Sequence, residues 1–203
     1  MNEDFKRVFI HELGHFIALE LNFRLYNYDR RAIGLKIEPR INTKFYNGSI
    51  STDKATIGSY NPINSAKEYA QTFYGCLFES LYRNIDIKSC LKSSVSKTDY
   101  LVNNIGNGKV DALHLYSISI RPELKDVGKK WFNYATENFY PLIKNNVTHF
   151  KTIFDLSPEN YIVSKQYNQT TFDINKLRNA TIFFVLEHSD VYDSFIKSLE
   201  SIK

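Results

Sequence analysis

His11-Glu12-Leu13-Gly14-His15 is an H-E-x-x-H arrangement, and its chemistry depends on whether it lies on a helix. Phe5, Val8, Phe9, Leu13, Phe16, Ile17 and Leu21 recur at three- and four-residue spacing, which predicts a helix over residues from about 3 to 22. Each helical residue advances about 100°, so Glu12 lies about 100° and His15 about 40° round from His11, all within about a quarter turn. Two imidazoles one turn apart can both reach a single metal ion, and Glu12 beside them can hydrogen-bond a metal-bound water. Zinc held by three protein groups keeps an open position and brings the pKa of its water to about 7. A carboxylate can then take the water's proton and pass it to the leaving amine. Two neutral imidazoles suit zinc or another late transition metal better than magnesium or calcium. The bland alternative is a pair of ordinary histidines near a glutamate. Gly14 weighs against it, because a mid-helix glycine costs about 1 kcal/mol relative to alanine and so suggests close approach of another backbone or of substrate. The expectation is zinc-dependent hydrolysis with Glu12 as general base and acid.

Apolar residues surround much of this first helix, which places it centrally in the core. Residues 32–38 alternate like a strand, and Pro39 bars continuation in a central strand. Asn47-Gly48 is a hairpin-type turn signal, with Ser49-Ile50-Ser51 able to begin a return strand. Asn61-Pro62 and Ser65-x-x-Glu68 signal the start of a second helix. Its stripe is Ala66, Ala70, Phe73, Leu77 and Leu81, and it ends near Asn84. Residues 86–108 are polar and irregular. A third helix is expected from Val110 or Asp111 to about Ile120, stopped by Arg121-Pro122. A fourth is expected over roughly 122–145, and one or two more over about 173–202. Residues 146–172 carry no clear pattern. The fold class expected is mainly α with a small β-sheet (α+β), as a single domain over 1–203.

The 203 residues suffice for one domain with a substantial core, and 43% hydrophobic with 24% charged residues is the balance of a globular protein. The net charge of +4 is dispersed along the chain, which argues against a nucleic-acid partner. Cys76 and Cys90 form neither a CxxC nor a zinc-ribbon spacing and are read as reduced thiols. The first residues lack a secretory pattern, and no apolar run approaches the roughly 20 residues of a membrane span. A cytoplasmic location is therefore expected. Asn146-Val147-Thr148 and similar triplets are attributed to Asn-rich composition.

Several stretches resemble the peptidase domain of the FtsH family of ATP-dependent zinc proteases (peptidase family M41). That family carries H-E-A-G-H, and this chain has His-Glu-Leu-Gly-His. Leu35-Lys36-Ile37-Glu38-Pro39-Arg40 is similar to the family's V-T-I-x-P-R strand, and Gly48-Ser49-Ile50 to its sequel. Gly75-Cys76-Leu77-Phe78-Glu79 is similar to G-R-x-A-E-E, without the arginine and with Ser80 in place of the second glutamate. Gly108-Lys109-Val110-Asp111 is similar to the G-A-x-x-D stretch whose aspartate is the third zinc ligand. The resemblance covers roughly residues 5–145, leaving 146–203 as a C-terminal helical extension. It implies an M41-like zincin fold and a Zn2+ site formed by His11, His15 and Asp111. Glu79, Asp99 and His114 compete for the third ligand position, and Asp111 also suits a helix N-cap without metal. Glu79 can alternatively orient a ligand imidazole through its far ring nitrogen. The family's ATPase module precedes its peptidase domain, whereas the motif here begins at residue 11. The implied enzyme is ATP-independent in this chain and cuts peptides or unfolded protein, or works with a separate ATPase partner. The strand near Leu35–Arg40 is an edge strand in the family, which implies substrate binding by strand addition.

Gly108-Lys109 is not a P-loop, since G-x-x-x-x-G-K-[ST] would need glycine at Asn103 and Ser or Thr at Val110. His149 and His188 read as surface or satisfied histidines. Trp131, Phe132, Tyr134 and Tyr140 fit core packing better than base stacking, and Ser93-Ser94-Val95-Ser96 reads as a loop without a nucleophile elbow. Two competing functions stay open. One is a non-catalytic protein-interaction module on the peptidase fold, favoured if His114 closes the site as an extra ligand. The other is a zinc hydrolase of a non-peptide bond.

Overall fold

Helix α1, Glu3–Tyr26, is the axis of the fold. The computed structural model describes residues 2–41, 43–53, 65–91, 108–119, 121, 124 and 127–203. The Asn2 side chain caps α1 by accepting the Asp4 N–H at 2.8 Å, and Glu3 and Asp4 complement the positive end of the helix dipole. The helix ends at Asn27, in the left-handed conformation with φ 49°. It continues past the expected end near residue 22, and the Asn22 side chain bonds to two other elements. Its Nδ2 donates to the Lys67 carbonyl and its Oδ1 accepts the Tyr192 hydroxyl.

Among the described residues the sheet is antiparallel and four-stranded, in the order β2-β1-β4-β3. Strand β1 is Ala32–Pro39, β2 is Tyr46–Thr52, β3 is Ile162–Gln166 and β4 is Gln169–Phe172. Ala32, Leu35 and Ile37 alternate inward, and α1 lies across that face, with Phe5 edge-on to Tyr46 at 5.3 Å and Phe9 against Phe172 at 5.3 Å. Three expectations are corrected here. Strand β1 is not an edge strand, because β4 pairs along its far side. Asn47 and Gly48 are not a turn but lie within β2, opposite Glu38 and Ile37. The hairpin turns instead between Arg40 and Phe45, where the Arg40 N–H donates to the Phe45 carbonyl. The C-terminal segment is not purely helical, since it supplies β3 and β4. These strands are joined by Tyr167 and Asn168, both at positive φ, the backbone of a two-residue hairpin turn.

Helix α2, Ser65–Arg83, packs along α1. A Cβ on Gly14 would lie 2.4 Å from the Tyr74 carbonyl oxygen, so the glycine permits this helix spacing. The short α3, Ile87–Cys90, is capped by the Asp86 carboxylate. Helix α4, Gly108–Ser119, packs on α2. The start of the expected fourth helix falls largely outside the described residues, and the helical region is described from Gly128 on. It comprises α5 (Gly128–Tyr134), a π-helical turn (Ala135–Phe139) and α6 (Tyr140–Asn145). Pro141 has no N–H and its ring crowds the carbonyl four residues back, and the wider π turn before it relieves both. After the short α7, Lys151–Phe154, and the β3–β4 hairpin come α8, Ile174–Glu187, and α9, Ser189–Ser201. Helix α9 closes an aromatic core in which Phe195 stacks on Phe139 at 3.9 Å, and Trp131 and Tyr140 are buried in the same layer of helices. No helix among the described residues is long and apolar enough to cross a membrane. Asn61-Pro62, Ser93–Ser96, Asp99, Pro122 and most of the polar stretch 86–108 lie outside the described residues.

Two measurements test this packing. Replacing Gly14 with alanine forces the helices apart, and overpacking of this kind costs about 1–3 kcal/mol. Urea unfolding should show that loss, and an unchanged midpoint would mean that α1 and α2 are not held this closely. His188 is 1% exposed and sits 2.9 Å from the Tyr74 hydroxyl and over Phe184. Burial, with a smaller contribution from His149, lowers its pKa to about 3. The folded protein therefore cannot take up the proton that the unfolded chain binds below pH about 6.5. Stability is complete above that pH and falls as pH drops toward about 3. Relative to His188→Gln, the wild type should lose about 2 kcal/mol between pH 7 and 5, and parallel curves would contradict a buried neutral His188.

Candidate metal centre

The site is built where α1, α2 and α4 meet. His11, Glu12 and His15 project from one side of α1, and all are buried or nearly so. Gly75 on α2 makes room for the imidazoles: a Cβ there would lie 2.3 Å from His15 Nε2 and 2.9 Å from His11 Nε2. Asp111 stands in the first turn of α4, three residues past its start at Gly108. It is therefore not a helix N-cap, and its carboxylate is turned into the protein, 8% exposed.

The two Nε2 atoms are 3.1 Å apart. Asp111 Oδ2 lies 2.8 Å from His11 Nε2, and Oδ1 lies 3.5 Å from His15 Nε2. Ligands at about 2.0–2.1 Å in a tetrahedral zinc site stand about 3.3 Å from one another, which these three edges bracket. The far ring nitrogens decide the tautomers. His15 Nδ1 is 2.8 Å from the Gln71 carbonyl oxygen, which can only accept, so Nδ1 carries the proton and Nε2 the lone pair. His11 Nδ1–H donates to Glu79 Oε2 at 3.0 Å. Glu79 is fully buried and stays ionised, because His11, Arg7 at 3.1 Å and Arg83 at 2.9 Å outweigh the effect of burial and hold its carboxyl well below the usual range.

Two lone pairs and an ionised carboxylate thus converge in a space nearly closed to water, an arrangement that repels itself without positive charge. Burial alone would push both imidazoles toward the neutral form. The charge and hydrogen bonds of Asp111 outweigh it, so both pKa values rise above the usual histidine range, that of His11 well above. Burial likewise raises Asp111, but His15 and His11 override it and hold the carboxyl far below its usual range. Two imidazoles and one carboxylate with these spacings fit zinc or another late transition metal. Burial raises the Glu12 carboxyl, partly offset by His15 and His11. That direction suits a proton acceptor working near neutrality.

The structure brings His11, His15 and Asp111 into one cluster, with Glu12 next to His11 on the same helix. Glu79 stands behind His11 rather than among the three donors, and His114 is exposed on α4. Sequence reasoning missed several contributors, Gln71 and Arg83 on α2 among them. Arg7 is one turn before His11 on the same face of α1, a spacing that could have paired it with Glu79. Gly48 lies in β2 so close to Glu12 that a Cβ would stand 2.3 Å from its Cγ, and only the fold reveals this. Cys76 and Cys90 are both buried beside the centre, with the Cys76 thiol 3.6 Å from Asp111 Oδ2. A hydrogen bond from Cys76 lowers the Cys90 thiol to about 7 against the opposing effect of burial.

Comparison of the chain with protein-family models, curated proteins and solved structures finds no match.

A neutral amide at position 79 would keep the shape but lose the charge that fixes the His11 tautomer. Loss of such a partner typically costs about 10–100-fold in metal affinity. Competition with a chelator should report that drop for Glu79→Gln in a folded protein, whereas wild-type affinity would remove Glu79 from the site.

Proposed function

We propose that this chain is a zinc-dependent metallopeptidase with an M41-like fold. The observation that carries the reading is the convergence of the His11 and His15 Nε2 atoms and the Asp111 carboxylate, with Glu12 from the same helical turn beside them. His11, His15 and Asp111 would hold the metal, which supplies an acidified water and polarises a carbonyl. Glu12 takes a proton from the attacking water at its carboxylate and returns it to the leaving amine nitrogen. Glu79 and the Gln71 carbonyl hold the two imidazoles in the tautomers that expose Nε2.

The substrate class follows from the sheet edge. Among the described residues β2 pairs only with β1, so its outer side offers backbone donors and acceptors. Gly48 brings that strand against Glu12. An extended peptide or unfolded segment adding to β2 would be carried past Glu12, and a folded domain would not. The strand suited to this role is β2, not β1.

Glu12→Gln is the direct test. The variant should retain zinc by elemental mass spectrometry and lose about 10²–10⁴ in the rate of peptide-library hydrolysis. Turnover retained in the variant would take Glu12 out of the reaction. A wild type that binds zinc yet releases no products, beside an active control, would shift the reading to a hydrolase of non-peptide bonds or to an interaction module.

A further inference from the structure

The proposed hydrolytic reaction leaves two chemistry-bearing side chains of this centre unused. Cys76 follows Gly75 on α2, and Cys90 ends the short α3. They are 0% and 6% exposed and are not joined by a disulfide. Their sulfur atoms and one ring nitrogen of His11 all lie within 4.8 Å of one another. This second donor set adjoins the first through a single oxygen. Asp111 Oδ2 is 3.6 Å from the Cys76 sulfur and 2.8 Å from His11 Nε2. Since the Nδ1 proton of His11 is given to Glu79, Nε2 is the ring nitrogen left to bind a metal, and a seat on Cys76 and Cys90 would have to share it with the first.

We propose that Cys76, Cys90 and His11 form a second, sulfur-rich seat for the metal ion, contiguous with the His11–His15–Asp111 seat and exclusive of it. The inference rests on the metal reading above only through His11. Two thiolates and one imidazole are a known zinc donor combination, and thiolate sulfur favours soft ions over hard ones. Entry of a divalent ion into this seat forms two metal–sulfur bonds and one metal–nitrogen bond, and displaces to solvent the thiol protons together with the proton that His11 Nε2 carries without metal. No electron is transferred. The seat gives the centre a preference for thiophilic metals, and an ion held there no longer engages His15.

Cobalt(II) titration of the full, reduced chain tests this by absorption. Sulfur-to-cobalt charge transfer adds an intense near-ultraviolet band that nitrogen and oxygen ligands do not give. The expected result is such a band in the wild type, saturating at about one ion per chain because His11 is shared. Cys76→Ala and Cys90→Ala should each weaken or lose it while the weaker visible bands remain, and His15→Ala should keep it. Circular dichroism checks that the cysteine variants fold, and the wild-type spectrum decides the matter without them. Visible bands without the near-ultraviolet band in the wild type would overturn the proposal and leave the hydrolytic reading intact. Two ions per chain would overturn the exclusivity. The sulfur band together with an absence of zinc-dependent hydrolysis would sustain this seat while removing the peptidase reading. No cobalt signal of either kind would remove both.

Discussion

Because the Nδ1 protons of His11 and His15 are directed to Glu79 and to the Gln71 carbonyl, both Nε2 atoms turn toward Asp111. Most of the surrounding structure bears on keeping that unfavourable convergence in place. Both proton acceptors come from α2, so the imidazoles are oriented by a neighbouring helix and not by their own. The helix spacing must then be short and fixed. Gly14 removes the side chain that would separate the helices, and Gly75 removes the one that would occupy the imidazoles' space. A buried charge without a partner would be far costlier than a buried pair. Glu79 accordingly has a chain of partners, with Arg7 also bonded to Asp4 and Asp4 accepting the Tyr46 N–H at the start of β2. The same run of contacts joins the orientation of His11 to the placement of the edge strand.

What could be read from the sequence follows the range of the interactions. The relation of His11, Glu12 and His15 is set by the angular step of one helix, and periodicity within that helix was enough to place them. Asp111 and Glu79 lie far along the chain. They could be named as candidates, but only the resemblance supplied an order for them, and their roles depend on α2 and α4 packing against α1. Gly48 and Pro39 illustrate the limit for the sheet. Each has a local meaning, turn or strand terminator. Gly48 lies inside β2 because Glu12 needs the space. Strand β1 is internal because β4, from more than a hundred residues later, pairs with its other side. The β3–β4 hairpin escaped notice because Tyr167-Asn168 carries no glycine. Asparagine tolerates positive φ, but tyrosine takes it here at 50° only within a turn that the flanking pairing imposes.

Helix α1 is fixed at its far end by a second arrangement of one carboxylate and two arginines. Glu20, 3% exposed, receives a two-pronged bond from Arg178 of α8 at 2.9 and 3.0 Å and a longer one from Arg31 at 3.3 Å. Arg178 also donates to the Ala32 carbonyl at the start of β1. Buried groups of this kind add little net stability over a well-packed apolar core, yet removing one member costs about 3–5 kcal/mol. Their main effect is to penalise any displacement that breaks the geometry. Glu79 sits against α1 one turn before His15 and ties it to α2 and, through Asp4, to β2. Glu20 lies just beyond His15 and ties it to α8 and β1. The two imidazoles therefore occupy the stretch of α1 between two points where sliding or rotation would expose a charge. A centre whose donors must stay within a few tenths of an ångström needs that support from outside its own ligands. The C-terminal residues, which hold none of the donors, contribute to the site by anchoring the helix that carries it.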